Sequence, residues 1–323
     1  MYWHQVTPGP LVSHSHTLEE IRRFNMAVAM FDYMSQPHST MSGTIKIGHK
    51  DAKTGEMTSQ VDIPMFGLGV YLMKGHGECK KAVSHAIEYG YRLIDTAMAY
   101  GNESEVGEAV RESEVTRDDI FVVTKLRRPH ATSYDEVIRR CQESHDNLGI
   151  GAIDLYLVHA PPEDLEVRPQ VWKAMEDCLE TGLVRSIGVS NYGHHHLQEM
   201  KSYARIMPAV NQIEINPWLQ RPDLISATKE IGAVPMAYSP LARGHKVNDQ
   251  DLVEVAKILG CTPAQAAIKW CIDSGSITIP KSSNSDRIEE NFHSQELDIS
   301  SVLEYFQSMN ENYISGWDPT VEP

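Results

Sequence analysis

Across residues 44–323, hydrophobic positions fall into short, nearly unbroken runs separated by longer stretches of helical period. Eight runs recur: "MFGLGVYL", "RLIDTA", "IFVVTKL", "AIDLYLVHA", "LVRSIGVSN", "PAVNQIEIN", "GAVPMAYSP" and "GSITIPKS". Between them the apolar residues keep to one helical face: Val137, Ile138, Cys141 and Leu148 within 134–148, and Val171, Trp172, Met175 and Leu179 within 171–179. Strands that are apolar on both faces belong to a parallel sheet covered by helices on both sides. Eight such units predict an α/β chain closed into a (β/α)8 TIM barrel in preference to an open sheet. Residues 44–63, "TIKIGHKDAKTGEMTSQVDI", read as an N-terminal β-hairpin with its turn near Lys53-Thr54-Gly55. The polar tail, 293–323, reads as a C-terminal loop crossing one end of the barrel at its mouth, with Trp317 either covering that mouth or anchored on the surface.

The pattern divides the chain into a barrel over 44–323 and an N-terminal extension over 1–43. The extension has three acidic and two basic side chains and no lysine. Within it "TLEEIRRFNMAVAMFDYM" predicts a short helix with Thr17 and Glu20 as a capping box. Met26, Met30 and Met34 share its helical spacing, as a packing face would. The segment has neither the basic character of a transit peptide nor the long apolar core of a secretory signal. It reads as a disordered or partly helical extension, or as a stretch upstream of a functional start near Met41.

A formal charge of −15 disfavours both a nucleic-acid partner and an anionic membrane surface, since each needs clustered Lys and Arg. The apolar content of 41% is enough for a full core, and no apolar run approaches the roughly 20 residues that span a bilayer. Cys79, Cys141, Cys178, Cys261 and Cys271 are odd in number, with no C-x-x-C pair, which suits a reducing compartment and a cytoplasmic protein. The runs "GLGV" and "GHGE" contain G-x-G but do not complete a G-x-G-x-x-G fingerprint. "HHH" at 194–196 reads as surface placement and no metal site, because adjacent helical histidines point in different directions.

In a (β/α)8 barrel the chemistry gathers at the C-terminal ends of the strands. The second run ends in Asp95, with Tyr100 in the loop after it; the third ends in Lys125 and the fourth in His159. The fifth ends in Ser190 and Asn191, the sixth carries Gln212 and Glu214, the seventh ends in Tyr238 and Ser239, and the eighth runs into Lys281 and Ser282. A tyrosine hydroxyl, with a pKa near ~10, exchanges its proton poorly at neutrality. An ammonium at ~4 Å and an effective dielectric of ~20 stabilises the phenolate by at most about 4 kcal/mol, and burial opposes it. A buried ammonium in turn needs a carboxylate, which assigns Asp95 to Lys125. Tyr100 then serves as a general acid toward a carbonyl, with His159 orienting the substrate oxygen.

"GYRLIDTAMAYGNESEVGEAV", "TKL", "DLYLVHAP", "GLVRSIGVSN", "NQIEINPW", "AYSPLARG" and "IPKSSNSDRIEEN" together resemble the successive signatures of the aldo-keto reductase family, over about residues 62–292. The resemblance implies a barrel that binds NADPH without a Rossmann domain and reduces aldehydes or ketones to alcohols, an alcohol dehydrogenase (NADP+) type of activity. It implies a catalytic tetrad of Asp95, Tyr100, Lys125 and His159. Ser190, Asn191 and Gln212 match the holders of the nicotinamide carboxamide, Tyr238 the ring beneath it, and Ser239 and Leu241 contacts toward the pyrophosphate. Lys281, Ser282 and Arg287 match the clamp on the 2′-phosphate, and Glu290 and Asn291 match the adenine contacts. Arg suits that phosphate because it can donate two parallel hydrogen bonds.

"SDRIEEN" also reads simply as a helix start with Ser285 as cap, a reading compatible with phosphate binding. Tyr71 matches a pocket aromatic. Ala160 stands where many members carry tryptophan, so with Trp218 on the rim the pocket is expected to be wide. The implied partner is a small-molecule carbonyl substrate, and the chain is expected as a monomer or weak homo-oligomer. An alternative stays open from the N-terminal extension: an NADPH-binding regulatory subunit that works by docking to a partner.

Overall fold

A computed structural model describes residues 43–323 apart from Ser59 and His76. The readings made for residues 1–42, the Thr17/Glu20 cap and the methionine face among them, lie outside the described residues. The described chain opens with an antiparallel pair, β1 (Thr44–Ile47) and β2 (Val61–Pro64), in the register Thr44 to Pro64. The connecting segment turns where expected. The Asp51 carboxylate accepts from the backbone N–H groups of Lys53 (2.9 Å) and Thr54 (2.7 Å), and Gly55 takes a φ of 75°.

Eight parallel strands follow: β3 (Leu68–Gly69), β4 (Leu93–Asp95), β5 (Phe121–Leu126), β6 (Leu155–Val158), β7 (Ile187–Ser190), β8 (Val210–Glu214), β9 (Val234–Tyr238) and β10 (Ile277–Ile279). Each pairs with its neighbour in sequence. Parallel bridges from Phe66 to Thr278 and from Gly69 to Lys281 join the first strand to the last, so the sheet closes. Backbone bonds at the seam, Gly67 N–H to Thr278 O (3.0 Å) and Thr278 N–H to Met65 O (2.8 Å), complete the ladder.

Helices fill the connections: α1 (Glu78–Tyr89), α2 (Glu103–Glu112), α3 (Tyr134–Leu148), α4 (Arg168–Glu180), α5 (His194–Met200) and α6 (Pro222–Glu230). Two helices, α7 (Gln250–Leu259) and α8 (Pro263–Asp273), separate β9 from β10, and α9 (Ser285–Phe292) and α10 (Leu303–Ser308) follow. Amphipathic spacing explains their docking. In α3, for example, Val137, Cys141, Ser144 and Leu148 are buried, three or four residues apart. Among the described residues no helix is long and apolar enough to cross a membrane.

Ile47 and Ile63 of the hairpin pack with Leu93, Phe121, Leu155 and Ile277, the first residues of four barrel strands. The hairpin therefore plugs the N-terminal end of the barrel, leaving the opposite end for chemistry. The tail runs to that opposite end and is partly helical, through α10, where a plain loop was expected. There the N–H of Ser315 donates to Glu214 at the end of β8 (3.2 Å), Asp318 pairs with Arg221 (2.9 Å) and Glu322 pairs with Arg128 (2.7 Å).

Candidate active site

The C-terminal strand ends bring Asp95, Tyr100, Lys125 and His159 together. Lys125, fully buried on β5, donates to Asp95 Oδ1 and to the Thr96 carbonyl, both at 2.7 Å. Its Nζ lies 5.2 Å from the centre of the Tyr100 ring. That ring meets His159 edge-on at 5.8 Å and Tyr71 at 5.1 Å. The second Asp95 oxygen accepts from Gln212 Nε2 at 2.7 Å, so both oxygens are used.

Burial sets the protonation of this group. It is the largest effect on both members of the Asp95–Lys125 pair, pushing the carboxyl up and the ammonium down, and each ion offsets that cost for the other. His159 is driven down to about 3 by burial and then by Lys125, so the imidazole is neutral near pH 7. The expected acidic phenol is not what the structure shows. Burial, and next the Asp95 charge, push the Tyr100 hydroxyl well above its ordinary value. The physical reason is first that the buried phenolate would lose its water, and second that the nearby Asp95 carboxylate repels it. Tyr100 is held protonated rather than primed as phenolate.

The residues matched to the nicotinamide end form a second cluster. Asn191 Nδ2 donates to the His159 carbonyl (2.8 Å) and to Ser190 Oγ (3.1 Å), while Asn191 Oδ1 accepts from the Tyr238 hydroxyl (2.8 Å). Ser190 Oγ in turn donates to the Gln212 carbonyl at 2.8 Å. Asn191 and Ser239 hold left-handed backbone, φ 62° and 50°, which non-glycine residues seldom adopt and which clusters at functional sites. Leu241 opens the short turn after β9, its carbonyl accepting from Gly244 N–H at 2.7 Å.

At the β10 end, Ser282 is buried while Lys281 and Arg287 are exposed, and among the described residues neither cation has an ion-pair partner. Asn284, not Ser285, caps α9, its Oδ1 accepting from Arg287 N–H at 2.9 Å. Two unpaired cations beside a helix N-terminus are suited to a phosphate. Glu290 accepts from Thr262 Oγ1 at 2.8 Å, and Asn291 is buried beside it.

The pocket residues separate. Tyr71 is 44% exposed beside Tyr100, and Ala160 is buried directly after His159. Trp218 is not on an open rim. It is fully buried, its Nε1 donates to Asp249 (3.2 Å) and its carbonyl accepts from the tail at Glu311 and Tyr313. The triple histidine also differs from expectation. His194 and His195 are exposed but His196 is buried, with its ring centre 3.9 Å from that of His195. His195 contacts the carbonyl of Glu322 (2.7 Å) and His196 that of Pro323 (3.3 Å), so the motif holds the tail.

Several residues that shape the site were not singled out from sequence. Thr96 Oγ1 donates to Asn102 Oδ1 (2.6 Å), and Asn102 Nδ2 donates to the carbonyls of Val70 (3.0 Å) and Met73 (3.1 Å). That side chain stitches the Tyr71 and Tyr100 loops to β4. Glu103, Arg128 and Arg168 are equally silent in the pattern, since their partners are distant in sequence.

Comparisons with known proteins fit this arrangement. Residues 75–307 match the aldo/keto reductase family. The chain is 38% identical over 265 residues to a 9,11-endoperoxide prostaglandin H2 reductase of Trypanosoma cruzi, covering 81% of this chain and 93% of that protein. It is 35% identical to aldose reductase B of Dictyostelium discoideum, covering 86% and 95%. Among solved structures, an aldo/keto reductase from Brucella melitensis superposes with a TM-score of 0.75 at 33% identity, covering 84% of this chain and 100% of that one. An aldo-keto reductase enzyme from a Medee basin deep-sea metagenome library gives a TM-score of 0.74 at 36% identity, covering 78% and 93%.

Proposed function

Since the chain belongs to the aldo/keto reductase family, we propose that it is an NADPH-dependent reductase of aldehydes or ketones, with Tyr100 as the general acid. One observation carries this reading: a buried Asp95–Lys125 ion pair, a protonated Tyr100 and a neutral His159 converge on one face of the barrel. The family's dinucleotide, when bound, supplies the hydride.

The chain's own residues do the rest. Ser190, Asn191 and Gln212 hold the carboxamide end, with Tyr238 beneath the ring. Ser239 and Leu241 contact the middle of the dinucleotide, and Glu290 and Asn291 the adenine. Lys281, Ser282 and Arg287 grip the 2′-phosphate, and the two unpaired cations at the α9 N-terminus favour the phosphorylated cofactor. Neutral His159 donates a hydrogen bond to the carbonyl oxygen and fixes its orientation. As negative charge grows on that oxygen, the Tyr100 proton moves onto it. Lys125 balances the charge left on the phenol, and Asp95 keeps Lys125 charged and fixed. Proton transfer of this kind is worth roughly 10²–10⁴ in rate.

Tyr71 and Ala160 border the space beside His159. The relatives' names span an endoperoxide and an aldose, so the test panel includes both beside simple aldehydes, ketones and quinones. Carbonyl-dependent loss of NADPH absorbance, faster than with NADH, is the expected result. Quenching of NADPH fluorescence with no turnover on any substrate would instead favour a cofactor-binding regulatory protein.

A further inference from the structure

Glu103 is only 3% exposed and opens α2, three residues after Tyr100. Buried carboxylates ordinarily sit against a cation. Among the described residues Glu103 forms no ion pair; its hydrogen bonds come from the Thr124 hydroxyl (2.6 Å) and the Asn147 amide (3.2 Å). Each carboxyl oxygen accepts from one donor, and the α2 N-terminus favours negative charge there.

The placement of those donors matters. Thr124 immediately precedes Lys125 on β5, so the Glu103–Thr124 bond joins the loop of the general acid to the strand of the lysine. Glu103 also acts electrostatically on Lys125, favouring its charged form. Lys125 is otherwise faced by Asp95 from β4, Tyr100 from its loop and His159 from β6. On its other side Glu103 faces Tyr156 of β6, kept protonated chiefly by burial, and Cys141 of α3, kept protonated first by its hydrogen bond with the Cys178 thiol of α4 and then by burial. None of these brings a compensating positive charge.

We propose that Glu103 is a positioning residue for the reaction: it ties the Tyr100 loop to the Lys125 strand through Thr124 and adds a second buried negative charge near the Lys125–Asp95 pair. This inference rests on the proposed reductase activity, and wild-type turnover tests that activity separately. The two effects of Glu103 come apart in two variants. Glu103→Gln keeps the shape and an acceptor oxygen but removes the charge; Thr124→Val keeps the charge but removes the tether.

The experiment is a pH profile of kcat for carbonyl reduction, with KM and NADPH fluorescence binding measured alongside. A negative charge near an ammonium favours its proton, so removing the charge moves the basic limb of the profile to lower pH. For Glu103→Gln the expected shift is about one pH unit, with kcat reduced roughly tenfold at neutrality and KM within about twofold. For Thr124→Val the expected result is a fall of about threefold in kcat with an unmoved basic limb. An unmoved limb in Glu103→Gln, or a loss appearing only in KM or in NADPH binding, would overturn the electrostatic role. Wild-type kcat in Thr124→Val would overturn the tether, and this variant decides the matter if Glu103→Gln fails to fold.

Discussion

Replacing Lys125 by methionine removes the ammonium while keeping most of the side chain's volume. At the observed 2.7 Å and an effective dielectric of ~20, its attraction to Asp95 is about 6 kcal/mol. That attraction offsets desolvation costs of several kcal/mol for each ion, so the intact pair contributes little net stability. Breaking it is another matter. Asp95, 3% exposed, would keep only the Gln212 amide as a partner, and an uncompensated buried charge costs about 3–5 kcal/mol. The expected loss in urea unfolding is of that size, with Tm lower by roughly 6–10 °C. Adding Asp95→Asn removes the stranded charge, so the double variant should be more stable than Lys125→Met alone. Its coupling energy should approach the upper end of the ~0.5–3 kcal/mol range seen for contacting residues. Carbonyl reduction should not recover in the double variant and should remain down by about 10²–10⁴. Single variants that each lose under about 1 kcal/mol and simply add would refute the buried ion pair.

Three further outcomes follow from other parts of the molecule. His49 is buried between the hairpin segment and the barrel, with Nδ1 on the Met207 carbonyl (3.1 Å) and Nε2 facing Ser186 Oγ and Ile187 N–H. Burial lowers its pKa, so its contribution is complete above about pH 6.5 and is lost as pH falls below that. Unfolding free energies at about pH 7 and about pH 5 should therefore differ less in His49→Gln than in wild type, and equal differences would contradict the assignment. Arg287→Ala should raise the Kd for NADPH by about 10–100-fold and leave that for NADH nearly unchanged; a parallel loss for both would remove Arg287 from the phosphate site. Gly193 has ordinary backbone angles but no room: an added Cβ would lie 1.9 Å from the Thr320 carbonyl. Gly193→Ala should expose the tail to limited proteolysis at a cost of about 1–3 kcal/mol, and an unchanged cleavage pattern would show the tail to be loosely held.

The barrel was legible because both-face burial leaves unbroken apolar runs, and each of the eight runs contains one of the parallel strands. Some strands are far shorter than their runs: "MFGLGVYL" yields only Leu68–Gly69 as strand, because the chain turns at Tyr71 and Leu72. Catalytic candidates were legible through position, since Asp95 ends β4, Lys125 is next to last in β5 and His159 directly follows β6. What sequence pattern conceals is compensation between distant partners. The sign of the effect on Tyr100 is set first by its burial and next by the Asp95 charge, which no spacing along the chain conveys. The tail is a similar case: Arg128, Arg168, His195 and His196 look like ordinary surface residues until Glu322 and Pro323 arrive beside them. Trp218 was misplaced on the rim for the same reason, because residues 311 and 313 cover it.

The most direct test of the account is the rate of NADPH oxidation by Tyr100→Phe with the best wild-type carbonyl substrate. The phenylalanine ring can keep the contacts with Tyr71 and His159 and lacks only the hydroxyl that carries the proton. The account predicts a fall in kcat of about 10²–10⁴ with NADPH affinity within about twofold of wild type. A variant that still turns over at near wild-type rate would show that the proton comes from elsewhere, and the assignment of Tyr100 would be wrong.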